Sequence, residues 1–179
     1  MRLSNVITQN GTNNELTQFY VKEIFMKRSP ILVYTCGVFD LFHIGHLNIL
    51  QYAKGLGDKL IVGVSTDELV EQYKGKKTVD TFKERIAIVN ALKCVDICIP
   101  QENRDKFDAW KKIGFDIWVV GDDWFGANYY MDIRERLAKV NVRSVFFPST
   151  KGVNSTLRRE QIKVENQITD FPVERTHRL

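Results

Sequence analysis

The chain has 179 residues, a formal net charge of +4, and 44% hydrophobic and 27% charged residues. That is enough for one folded domain with a full apolar core. No apolar run reaches membrane-spanning length, so no membrane insertion is expected. The basic residues are spread along the chain, which suits an anionic substrate but gives no nucleic-acid footprint. Its three cysteines, Cys36, Cys94 and Cys98, follow no metal-site spacing. With no secretory leader pattern, that odd count points to a reducing, cytoplasmic setting.

Residues 1–29 begin rich in Asn, Thr and Gln, then read as a short helix over Leu16–Lys27, an N-terminal extension closed by Pro30. From there the chain alternates. Strands are expected at 31–36, 59–65, 95–99, 116–120 and 142–147, and helices at 45–56, 81–93, 104–113, 129–140 and 155–166. This main domain covers 30–166, with a tail over 167–179. The alternation predicts an α/β fold: a Rossmann-like, doubly wound, parallel five-stranded sheet with helices on both faces. Ligands of such sheets bind beyond the carboxyl ends of the strands, where the strand order reverses.

His43-Ile44-Gly45-His46 lies where the first strand gives way to a helix, and holds two of the chain's three histidines. A helix start attracts anions through its free N–H groups and dipole. Gly45 lets a phosphate approach, and two imidazoles beside it can stabilise charge building on a phosphoryl group. The bland alternative is two unrelated histidines. Asp40 is either an acceptor for loop amides or a simple turn residue. Ser65-Thr66-Asp67-Glu68 reads as a helix cap with an acidic first turn. Lys74-Gly75-Lys76-Lys77 reads as a mobile cationic loop that could close over a triphosphate, or as a solvated charge run, with Arg85 and Lys93 on the next helix. Gly121-Asp122-Asp123-Trp124 suits recognition of a base or ribose, a metal ion, or a tight turn. The loop Thr150 to Thr156 offers hydroxyls and amides at a helix start, as a phosphate cradle or a plain cap.

Gly37-Val38-Phe39-Asp40-Leu41-Phe42-His43-Ile44-Gly45-His46, Ser65 to Glu68, Gly121 to Trp124 and the Thr150–Thr156 loop together resemble the cytidylyltransferase family, over about Leu32 to Gln161. Gly-Asp-Asp-Trp favours its glycerol-phosphate type. The resemblance implies transfer of a cytidylyl group from CTP, accompanied by Mg2+, to a small phosphorylated alcohol, glycerol 3-phosphate first, by a homodimer. His43, His46 and Lys74 would be catalytic. Cys36, Gly37, Val38, Phe39, Gly45 and His46 would bind the nucleotide, together with Gly121, Asp123, Trp124, Thr150, Gly152, Ser155 and Thr156. Asp40, Lys74, Lys76, Arg85 and Lys93 would line or support the site of the acceptor phosphate. No protein ligand to a metal is assigned. The chain departs from the family pattern at Ser149 for Arg, Lys151 for Glu, Asn154 for Ser, Val38 for Thr and Lys93 for Arg, which bears on the acceptor more than on the reaction. Competing readings are another acceptor such as choline or ethanolamine phosphate, adenylyl transfer from ATP, an aminoacyl-tRNA synthetase core (His-Ile-Gly-His without a Lys-Met-Ser-Lys-Ser element), and a non-catalytic nucleotide-binding module.

Overall fold

The computed structural model describes residues 29–169, and their side chains through residue 164. The predicted helix at Leu16–Lys27 and the end of the tail lie outside the described residues. In chain order the elements are β1 (Leu32–Gly37), α1 (Ile44–Lys54), β2 (Lys59–Ser65), α2 (Asp67–Lys74), α3 (Phe82–Asn90), β3 (Ile97–Gln101), α4 (Lys106–Ile113), β4 (Ile117–Gly121), α5 (Asn128–Ala138), β5 (Arg143–Phe147) and α6 (Ser155–Thr169). A short 3-10 turn, Asp122–Trp124, follows β4.

All strand pairings are parallel, in the order β3-β2-β1-β4-β5. The strands read as nearly continuous apolar runs because both faces of a parallel sheet are covered. Alternate residues feed two cores. Val33, Leu60, Val62 and Val119 pack with Leu50 and Ala53 of α1 and Val89 of α3. Tyr34, Ile61, Trp118 and Val120 pack with Ile133 and Leu137 of α5 and, at its edge, Phe107 and Trp110 of α4. The expected fold class and strand set are therefore present. The largest shifts are three residues, at α3, which ends at Asn90 rather than near 93, and at α6, which ends at Thr169 rather than near 166.

One helix goes beyond the sequence expectation. The capping signal at Thr66 opens a full helix, α2, whose Leu69 and Val70 are buried. Thr66 Oγ1 accepts from the Leu69 amide at 3.2 Å, and Gly75, at φ 62°, ends the helix in the left-handed conformation that glycine tolerates. Lys74 is thus the last residue of a helix, not part of a mobile loop, while Lys76 and Lys77 lie exposed beyond it.

Arg85 of α3 is fully buried and ties three segments together. It donates to the Asp80 carbonyl at 3.1 Å, to the Val38 carbonyl at 2.5 Å and to the Asp67 carboxylate at 2.6 Å. Removing such a donor takes a partner from two part-buried carbonyls and the Asp67 carboxylate, so Arg85→Met is expected to cost about 3 kcal/mol of folding stability. An unchanged midpoint of urea unfolding would show the network to be dispensable.

Candidate active site

β1 is the switch point of the sheet, with β2 on one side and β4 on the other. Beyond its carboxyl end opens a cavity of about 470 Å³. Its floor is the loop from β1 to α1, in which Phe39 (φ 58°) and Leu41 (φ 49°) both adopt left-handed backbone conformations. Non-glycine residues hold that conformation only when their surroundings enforce it. Asp40, 3% exposed, supplies much of the enforcement. Its Oδ1 accepts from the amides of Val79 (2.9 Å) and Asp80 (3.0 Å), and its Oδ2 is paired with Arg159 of α6. The Leu41 amide donates to Asp80 at 2.7 Å, and Ser155 Oγ donates to the Asp40 carbonyl at 2.8 Å. Burial alone would raise the Asp40 pKa, but the two amides and the Arg159 guanidinium outweigh it and hold the carboxyl below its ordinary value.

His43 is the N-cap residue of α1 and His46 sits in its first turn. Their rings stack with centroids 3.8 Å apart at 17°, braced by Phe39 and Phe42 at 5.3 and 5.4 Å from His46. A Cβ on Gly45 would lie 3.0 Å from the His43 ring, so a larger residue there would press on the stack. The Nδ1 atoms of both histidines are buried without a hydrogen-bond partner. Burial, then the nearby His43, pushes His46 down to about 3. Burial and then Arg158 lower His43 as well. Both rings are therefore neutral at pH 7, each offering one N–H donor and one acceptor.

Around this pair the structure gathers most of the residues expected from the sequence. Cys36, Gly37, Val38 and Phe39 line the cavity from the end of β1, and Lys74 and Lys76 from beyond β2. Gly121, Asp123 and Trp124 line it from the end of β4, and Thr150, Ser155 and Thr156 from the loop into α6. Thr150 accepts a hydrogen bond from Asn48 of α1 at 3.0 Å. A Cβ on Gly121 would come within 2.5 Å of the Asp123 carboxylate, so a larger residue there would have to displace that side chain. Trp124 stacks on Tyr130 at 4.9 Å yet stays 40% exposed, leaving aromatic surface at the cavity rim.

Residues 34–165 match the cytidylyltransferase-like family. The chain belongs to that family. It is 39% identical over 125 residues to glycerol-3-phosphate cytidylyltransferase of Bacillus spizizenii, covering 69% of this chain and 91% of that one. It is 38% identical over 120 residues to an FAD synthase of Thermococcus sibiricus, covering 66% and 79%. Among solved structures, a lipopolysaccharide core biosynthesis protein of Thermoplasma volcanium superposes with a TM-score of 0.57 at 26% identity, covering 70% of this chain and all of that one. The protein is a nucleotidyltransferase.

Three expected site residues of this cytidylyltransferase-like chain lie elsewhere. Arg85 is sealed behind the cavity and acts on the Val38 carbonyl, so it supports the floor rather than lining it. Lys93 is exposed past the end of α3, which runs back to the amino-terminal edge of the sheet, and it does not line the cavity. Gly152, at φ 75°, serves the turn before α6 and is exposed outside it.

Other lining residues had no place in the sequence reading: Arg159, Tyr73, Arg104, Lys106 and Trp118. Arg159 lies one helical turn beyond Ser155, so helical periodicity alone would put the two on one face. The remainder meet only through the sheet order. Lys74 is exposed at the cavity rim, and partial desolvation of its ammonium, followed by the charges of Lys76 and Arg159, lowers its pKa. Among the described residues no three His, Cys, Asp or Glu side chains gather where they could hold a metal ion, and no helix is long and apolar enough to cross a membrane.

The depressed histidines predict a pH effect. In the unfolded chain His46 takes up a proton near the ordinary imidazole value of 6.5, whereas in the folded chain it does so only near 3. Between those values the unfolded state binds more protons, so stability falls as pH drops from about 6.5 towards 4. His46→Asn should flatten that limb of melting temperature against pH. An identical slope in the variant would refute the assignment.

Proposed function

We propose that the protein transfers a cytidylyl group from CTP to a small phosphorylated alcohol. The observation that carries this reading is the stacked, neutral His43–His46 pair at the start of α1, set between Lys74 on one side and the Thr150–Thr156 loop on the other. An oxygen of the acceptor phosphate attacks the α-phosphorus of CTP. The bond to the bridging oxygen breaks, and pyrophosphate leaves with its electron pair. Such a reaction needs positioning and charge stabilisation, not a protein nucleophile. The imidazole N–H groups and the free amides of α1 donate to the α-phosphate oxygens as charge builds. Lys74 and Lys76 hold phosphates from the α2 side, and Ser155 and Thr156 from the α6 side. Asp123 and Trp124 meet the cytidine at the end of β4.

Magnesium enters as part of the substrate. Mg2+ commonly keeps its waters and takes triphosphate oxygens with one or two carboxylates, and the cavity's donors form no cage of their own. The name of the Bacillus relative supports glycerol 3-phosphate as the reference acceptor. The FAD synthase relative supports one competing reading, adenylyl transfer from ATP.

Pyrophosphate release, crossing CTP, ATP, GTP and UTP against phosphorylated alcohols in the presence of magnesium, is expected to select CTP. A preference for ATP would replace cytidylyl with adenylyl transfer. His43→Ala and His46→Ala are each expected to lower kcat by a factor of ~100 or more with the circular dichroism spectrum retained. Near-parental turnover in either variant would remove the histidines from the mechanism.

A further inference from the structure

The cavity holds a second group of cations that the transfer chemistry leaves unused. Arg104, in the turn after β3, lies 4.9 Å from the ring centre of Tyr73 and 4.6 Å from that of Tyr129. Its face is thereby engaged with two aromatic rings. Among the described residues none of its N–H groups has a protein acceptor and no carboxylate pairs with it. Lys106, the first residue of α4, is only 7% exposed, and its one partner among the described residues is the Arg104 carbonyl at 2.8 Å. An ammonium has three donors, and burying one with a single neutral partner is unfavourable unless an anion completes the set. Trp118 of β4 also lines the cavity and has a buried indole N–H with no acceptor. A stacked guanidinium and a buried ammonium without a carboxylate partner describe a site for an anion.

The position of this group separates it from the triphosphate. Arg104 and Lys106 follow β3, on the β2–β3 side of the switch point, whereas Gly121 to Trp124 and Thr150 to Thr156 follow β4 and β5 on the other side. At the end of α2 the Tyr73 ring stands between the two cation groups, with Arg104 4.9 Å and Lys74 Nζ 5.6 Å from its centre. A nucleotide held from the β4–β5 side leaves the β2–β3 side to the acceptor.

We propose that the acceptor is a phosphorylated hydroxy acid, whose carboxylate is held by Arg104 and Lys106 while its phosphate lies at Lys74 and the histidine pair. This inference rests on the cytidylyltransferase reading and narrows its acceptor class. Arg104 supplies the planar fork that matches a carboxylate, and Lys106 a second, buried charge. A site built on such donors discriminates strongly against an analogue that lacks the anion, because the buried donors are then left unpaired.

The test uses pairs matched in carbinol configuration, so that they differ only in carboxylate against hydroxymethyl: 3-phosphoglycerate with glycerol phosphate, and 4-phosphoerythronate with erythritol 4-phosphate. The full-length protein with MgCTP is expected to favour the acid of at least one pair by ~10-fold or more in kcat/KM. Arg104→Gln and Lys106→Met should each reduce that ratio by ~10-fold. A preference for the polyol in both pairs, or an acid preference that survives both variants, overturns the carboxylate site and leaves cytidylyl transfer standing. If MgCTP binds by calorimetry but no acceptor turns over, the affinities of each pair for the complex with a non-hydrolysable CTP analogue decide in the same way, and equal affinities overturn the site. Failure to bind MgCTP, with no pyrophosphate from any acceptor, overturns the cytidylyltransferase reading and this inference with it.

Discussion

The Asp40 carboxylate is the junction on which the active-site floor depends. Phe39 and Leu41 on either side of it have positive φ angles that bulky residues avoid. The loop keeps that shape because Asp40 ties it to the amides of Val79 and Asp80 and to Arg159, while Arg85 holds the Val38 carbonyl from below. The partners come from two stretches distant in sequence, Val79 to Arg85 and the start of α6. Because the loop leads directly into His43, its shape sets the direction in which α1 starts and where the paired imidazoles stand. The site is thus positioned by a buried, fully partnered carboxylate more than by the strand that precedes it.

The histidines show how packing decides chemistry. Two imidazoles in ring contact cannot both carry charge cheaply in a buried setting, and burial depresses both. They are therefore suited to work as neutral, oriented donors, with the positive charge nearby delegated to lysine and arginine. Lysine 74 occupies the end of a capped helix, which holds its backbone in place while its four-carbon stem reaches the cavity. Strained loop, stacked rings and capped helix form one arrangement in which little needs to move for the donors to meet a phosphate.

Much of this was legible in the sequence, for definite physical reasons. The strands were readable because a doubly covered sheet demands unbroken apolar runs, and Gly37 to His46 was readable because residue type and spacing there are both restricted. Helix α2 was hidden because its Asp67-Glu68 start and Lys74-Gly75-Lys76 end look like solvated loop, and its two buried residues, Leu69 and Val70, are too few for a clear period. Lys93 was misplaced because its helix runs away from the carboxyl edge of the sheet, a direction that charge and spacing do not encode. Arg104 was invisible because its aromatic neighbours, Tyr73 and Tyr129, are distant in sequence and meet it only when the order β3-β2-β1-β4-β5 is known, and Lys106 because its burial depends on the same packing.

The ion pair between Asp40 and Arg159 spans 119 residues. During synthesis the last strand ends at Phe147, so all five strands have left the ribosome before Arg159 and the Asp40 carboxylate can meet. The β1 loop therefore obtains the partner that fixes its left-handed residues from the segment that follows the last strand. The clamp on the floor depends on α6 as well as on the sheet. A chain released short of that helix would keep the architecture of its family and both histidines, without the clamp that aims them.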